Sequence, residues 1–192
     1  MFFRFFIVIF LALACCLFLA ACQPPYGDLV PIPQEGLEIL SVDFKDDTAQ
    51  ATRNQITVRA SGGWDGSRET SVAITVDNQG AGAIILDLRQ CELINNYNEK
   101  GEFQVAYERK GMGNPVASKY PPNESKTIRI DEHQVRELII KFDYPYSSES
   151  RDFENQTAQF SLVLERHGGA SVRTDFVFRF KYVESQAGHK RF

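Results

Sequence analysis

The stretch Val172-Arg173-Thr174-Asp175-Phe176-Val177-Phe178-Arg179-Phe180-Lys181-Tyr182 decides the fold. Val172, Thr174, Phe176, Phe178, Phe180 and Tyr182 recur at every second position, and Arg173, Asp175, Arg179 and Lys181 stand between them. A period of two sends successive side chains to opposite faces of a strand. One face is then buried and the other wet, as in antiparallel sheets packed in two layers. Working outward, the same period returns in Phe160, Leu162 and Leu164; in Leu138, Ile140, Phe142 and Tyr144; and in Ile128 and Ile130. It continues through Phe103, Val105 and Tyr107; Ile84, Leu86 and Leu88; Val72, Ile74 and Val76; and Ile56 and Val58. With a first strand over Leu37 to Phe44, the pattern predicts about nine strands separated by Gly, Pro, Asn and Ser clusters, with no long helical period. The expected class is all-β, an antiparallel β-sandwich.

Two parity breaks, Ile39 to Leu40 and Leu88 to Cys91, move the apolar set to the other face. A β-bulge does this, and at the second break so does a strand that leaves one sheet for the other. The clearest turn signals are Gly62-Gly63-Trp64-Asp65-Gly66, Asn78-Gln79-Gly80-Ala81-Gly82 and Pro121-Pro122-Asn123-Glu124-Ser125.

The N-terminus carries a second message. Arg4 precedes an apolar run from Phe5 to Phe18, and small residues lead to Cys22, the layout of a secretory signal peptide. Leu19-Ala20-Ala21-Cys22 resembles the lipobox of bacterial lipoproteins. The resemblance implies cleavage after residue 21 and acylation of Cys22, by palmitate or a similar chain, at the new N-terminus. Cys15 and Cys16 lie inside the apolar run and make poorer acceptors. A retained transmembrane helix is the rival reading, but the run barely reaches the roughly 20 residues needed to span hydrocarbon and no cationic flank follows. Gln23, where the family's inner-membrane retention signal has an aspartate, implies the outer membrane, facing the periplasm. The stretch 22–36, with Pro24, Pro25, Pro31 and Pro33, reads as an extended tether lifting the domain roughly 30 to 40 Å. The domain is expected over 37–184, with a flexible tail over 185–192.

Val72-Ala73-Ile74-Thr75-Val76-Asp77-Asn78-Gln79-Gly80, then Ile84 to Leu88, then Pro122-Asn123-Glu124-Ser125 ahead of Lys126-Thr127-Ile128-Arg129-Ile130, resembles bacterial immunoglobulin-like domains of the adhesion and envelope type. The resemblance spans about Thr70 to Ile130 and implies an immunoglobulin-like sandwich; it says little about activity.

Composition narrows the rest. Loss of the leader takes the formal charge from −4 to −5, leaving 20 cationic side chains against 25 acidic ones, so no broad cationic field invites nucleic acid. After Cys22 only Cys91 remains, so no intramolecular disulfide is expected. His133, His167 and His189 show no ligand spacing, and Met112 with Cys91 makes no copper set. Asp46-Asp47 and Asp131-Glu132 lack a glycine-containing calcium loop. No nucleophile motif is present, and Cys91 sits in an apolar strand as a buried thiol. No cofactor and no enzymatic activity are expected.

The candidate partner surface is aromatic. Trp64 lies in a glycine-rich turn, and Tyr120, Tyr144, Tyr146 and Phe153 flank or occupy the polar loops Gly111 to Ser125 and Tyr144 to Thr157. Such side chains anchor protein partners or stack on sugar rings; equally, Trp64 plugs the core and the tyrosines cap the ends of the fold. The expected function is that of a lipid-anchored, non-catalytic interaction or scaffolding protein of the bacterial envelope with a protein partner. A glycan- or peptidoglycan-binding module is the alternative, and a periplasmic metal carrier a remoter one.

Overall fold

The computed structural model describes residues 26–42, 46–65, 69–109, 116–121, 127–143, 157–166 and 172–184. Among them the chain is all-β. The strands are β1 (Tyr26–Pro31), β2 (Glu38–Val42), β3 (Asp46–Arg53), β4 (Ile56–Asp65), β5 (Glu69–Asn78), β6 (Ile84–Asp87), β7 (Glu92–Asn95), β8 (Glu102–Arg109), β9 (Val116–Tyr120), β10 (Thr127–Ile130), β11 (Val135–Asp143), β12 (Thr157–Arg166) and β13 (Val172–Glu184). All their pairings are antiparallel, and they join into one sheet in the order β10-β6-β12-β13-β1-β4-β5-β11-β8-β9. Beside this path β2 and β3 lie along β4, and β7 lies along β12. The sheet curls on itself: Phe142 of β11 meets Phe160 of β12 edge to face at 6.2 Å, although the two strands are far apart in the pairing order.

β13 behaves as its alternation requires. Phe176, Phe178 and Phe180 are fully buried, Thr174 and Tyr182 nearly so, and Arg173, Asp175, Arg179 and Lys181 are exposed. Each buried phenylalanine contributes on the order of 1.5–3 kcal/mol through its removal from water. Ala49, Ala51 and Ala60 belong to the same buried core.

Thirteen strands stand where about nine are expected, and four additions account for the difference. β1 occupies residues 26–31, within the expected tether: it pairs with β13 from Gly27↔Glu184 to Pro31↔Phe180 and with β4 from Tyr26↔Asp65 to Leu29↔Gly62, and Leu29 is buried. Pro31 is the last residue of β1, where the neighbouring Ile32 N–H makes the bond to the Arg179 carbonyl, and Pro33 lies beyond the strand, so neither excludes it. Residues 26–31 of the expected tether over 22–36 are therefore a strand of the sheet, and residues 22–25 lie outside the described ones. β3 carries its inward face on Ala49 and Ala51, too small to register as hydrophobic periodicity. β9 falls inside an expected loop. β7 results from a 3-10 turn at Leu88–Gln90, which interrupts one strand line. That turn corrects the second parity break, since β6 and β7 both pair with β12 and no strand changes sheet. The first break is no bulge either, because β2 pairs with β3 in unbroken register.

A real bulge lies in β8. Phe142 pairs with Phe103 but Lys141 with Val105, so Gln104 is the extra residue. Phe103 stays inside against Phe142, whereas Val105 and Tyr107, expected on the same face, turn outward and Ala106 and Glu108 turn in. Tyr107 then lies beneath Lys119 and Lys141, at 5.9 and 6.0 Å.

Candidate functional site

Of the expected aromatic surface, Trp64 and Tyr120 fall among the described residues. Cys22, Tyr144, Tyr146 and Phe153 lie outside the described residues. Trp64 is not in a turn: β4 runs on through Asp65, and the indole is only 5% exposed, edge-on to Tyr182 at 6.0 Å. Its burial depends on Gly27, where a Cβ would come within 1.9 Å of Trp64 Nε1 and 2.5 Å of the Val183 carbonyl oxygen. A sugar ring has no access to this indole. Tyr120 packs against the core and donates from its hydroxyl to Glu108 Oε2 at 2.8 Å. Glu108, 6% exposed, also accepts from Arg136 Nη1. A carboxylate this deep requires such partners, since an unpaired buried charge is far too costly. Tyr120 therefore serves as a structural partner of a buried ion pair.

Asn78, fully buried at the end of β5, carries a dense set of side-chain hydrogen bonds. Its Nδ2 donates to the carbonyls of Gly82 (2.9 Å), Asp131 (3.1 Å) and Ile130 (3.3 Å). Its Oδ1 accepts from Gly80 N–H (3.3 Å) and Arg166 Nη2 (3.3 Å). Arg166 also donates to the Asn54 carbonyl, and Asn54 Nδ2 reaches Thr174 Oγ1 at 2.9 Å. One amide thus joins the β3–β4, β5–β6 and β10–β11 turns to the end of β12. Gly80 leaves the space the guanidinium fills, since a Cβ there would meet Arg166 Nη2 at 2.2 Å. The Asn-x-Gly of the sequence motif is therefore a structural device, and reading it only as a turn signal missed the lock.

Three titratable groups among the described residues are perturbed: Asp87, its partner Arg89, whose pKa the Asp87 carboxylate raises, and Cys91. The Arg89 guanidinium, bonded to the Asp87 carboxylate (2.6 Å), holds the Asp87 pKa below its ordinary value, and the Arg89 backbone N–H adds to this. A depressed folded pKa gives stability that is present above the unfolded value and lost as pH falls through the folded one. We expect Asp87→Asn to be less stable than the parent at pH 7 and the gap to close below about pH 4, as read from urea melts across that range. An equal gap at pH 7 and at pH 2 would contradict it.

Burial pushes the Cys91 thiol well above its usual range, and the Asp87 carboxylate adds to the shift. The thiol is accordingly unreactive in the fold. Native protein is expected to leave Cys91 unmodified by iodoacetamide at pH 8, with full labelling in denaturant; rapid native labelling would show an open site.

No group of three or more metal-ligating side chains occurs among the described residues. A groove of about 220 Å³ lies between β2 and the outer face of β4 and β5, lined by Leu40, Thr48, Arg59, Ser61, Ala73 and Thr75. It is smaller than the roughly 300–1,000 Å³ of ordinary ligand pockets. No helix among the described residues is long and apolar enough to cross a membrane. No protein-family model matches the chain, and no curated protein matches it.

Proposed function

We propose that the protein is a bacterial lipoprotein: a non-catalytic envelope protein, acylated at Cys22, that acts as an interaction or scaffolding module for a membrane-associated assembly. The observation that carries this is Leu19-Ala20-Ala21-Cys22 placed directly behind an apolar run with Arg4 ahead of it. Several acyl chains on one N-terminus anchor a protein stably, where a single chain holds only marginally. Gln23 favours the outer membrane, with the domain facing the periplasm.

The fold reading belongs to the same proposal, an immunoglobulin-like sandwich. The runs β4-β5-β11-β8 and β6-β12-β13 follow the A-B-E-D and C-F-G orders of such domains. The letters also fall in chain order, with β7 extending C, and β9 and β10 inserted between D and E. β1 links the layers by pairing with both β4 and β13. Among the described residues, the buried Glu108 is engaged with Arg136 and Tyr120, and the part-buried Arg166 with Asn78, so these groups serve the fold.

Mass spectrometry of the protein extracted from bacterial membranes tests the anchor. The expected N-terminus is an acylated Cys22, and Cys22→Ser is expected to lose the acyl mass and leave the membrane fraction. An unacylated mature N-terminus, or an intact leader, would overturn the reading. Crosslinking in cells, comparing the anchored chain with Cys22→Ser, then tests the scaffold role: a protein captured only by the anchored form is expected.

A further inference from the structure

We infer that one defined end of the fold, the end from which β1 starts, rests on the lipid head groups, with Tyr97 at the interface and the Asn78 end held outward. This rests on the lipoprotein reading. Only Gln23, Pro24 and Pro25 separate Cys22 from Tyr26, so even a fully extended chain places the acylated residue within about 15 Å of β1. β1 cannot swing away to lengthen that reach, because Gly27 pairs with Glu184 on one side and Trp64 on the other. A short lead into a strand paired on both sides fixes which end faces the anchor.

Pairing registers identify that end. Tyr26 is level with Asp65, Asp65 with Glu69, Glu69 with Asp143, and Asp143 with Glu102. The β7–β8 turn closes beside it: Gly101 N–H bonds the Leu93 carbonyl, Asn96 N–H bonds the Thr157 carbonyl, and Tyr97 at the tip is 55% exposed. A tyrosine, apolar in body and polar at its tip, suits the boundary between head groups and water. The row of acidic residues is too costly to enter hydrocarbon and keeps the contact at head-group depth. β5, ten residues long, spans roughly 33 Å, so the turn that bears His133 beside Asn78 is carried that far from the membrane.

The test uses the acylated full chain in vesicles of phosphatidylethanolamine and phosphatidylglycerol that contain a head-group quencher lipid. A fluorophore is attached at Tyr97→Cys or, in a second protein, at His133→Cys; His133 is 69% exposed and the buried Cys91 stays unlabelled. Quenching at position 97 is expected to be several-fold that at position 133, and a flexible Gly/Ser stretch inserted after Pro25 is expected to bring the two together. Equal quenching with the direct connection, or stronger quenching at 133, overturns the orientation. Mass spectrometry of the same samples separates the two ideas: an unacylated Cys22 overturns the lipoprotein reading, whereas an acylated chain with equal quenching overturns only the orientation. Unchanged Trp64 emission in both labelled proteins confirms that they remain folded.

Discussion

Asn78→Ala is expected to lower folding stability by about 3 kcal/mol. The amide satisfies three carbonyls and receives one backbone N–H and one guanidinium, all at a buried position. Removing it takes the side-chain partner from the Gly80 N–H and the Gly82 carbonyl, while the Asp131 carbonyl keeps the Gln134 N–H and Arg166 keeps the Asn54 carbonyl; each buried orphan costs roughly 1–3 kcal/mol where water cannot enter. At about 2–4 °C per kcal/mol for a domain of this size, Tm is expected to fall by roughly 6–12 °C. Asn78→Asp separates the two halves of the amide. It keeps acceptors for Gly80 N–H and Arg166 but cannot donate to the three carbonyls, so most of the loss is expected to persist. Stability of Asn78→Asp equal to the parent in chemical denaturation would show that the donor half does not hold the turns together.

Gly27→Ala is expected to be comparably damaging, for a steric reason. Added Cβ atoms usually displace the flexible tip of a neighbour, but here one obstacle is the indole of Trp64 and the other the backbone carbonyl of Val183. Neither can retreat without moving β4 or parting β1 from β13. Overpacking of this kind typically costs about 1–3 kcal/mol and more where backbone must shift. Trp64 is the sole tryptophan, so its emission reports the event directly: a red shift accompanies the lower denaturation midpoint. In a Trp64→Leu background the added cost of Gly27→Ala is expected to shrink, because half of the collision is gone. A cost unchanged by Trp64→Leu would place the whole clash on the Val183 carbonyl.

Much of the fold is legible along the chain because burial and alternation share one cause. Where a strand presents large apolar side chains at every second position, as in β5, β12 and β13, the face that is hydrophobic in sequence is the face that is buried. The burial of Cys91 is legible too, although it caps the Leu88–Gln90 3-10 turn and does not lie in the expected strand. β3 is not, since alanines carry its inward face, and β1 is masked by its prolines, of which Pro31 ends the strand without breaking its pairing. Tyr107 is misplaced because one extra residue, Gln104, reverses every later side chain of β8, and the reversal brings Glu108 to Arg136 and Tyr120. Nothing local announces that ion pair; it exists only once β8, β9 and β11 lie side by side.

Trp64 and Asn78 mark the boundary most sharply. Both stand among glycines, and local chemistry gives each the same reading, a turn. Asn78 does close a turn, but its carbonyl partners reach to Asp131, and only the assembled sheet brings them within bonding distance. Trp64 instead continues a strand, because β1 returns along β4 with a glycine where the indole needs space. By itself the sequence determined an all-β chain with an alternating aromatic core, since periodicity is a local property. The tertiary structure alone decided that residues 26–31 join the sheet, which of the described aromatic residues are inside and which polar ones lock the turns, because those depend on neighbours distant in the chain.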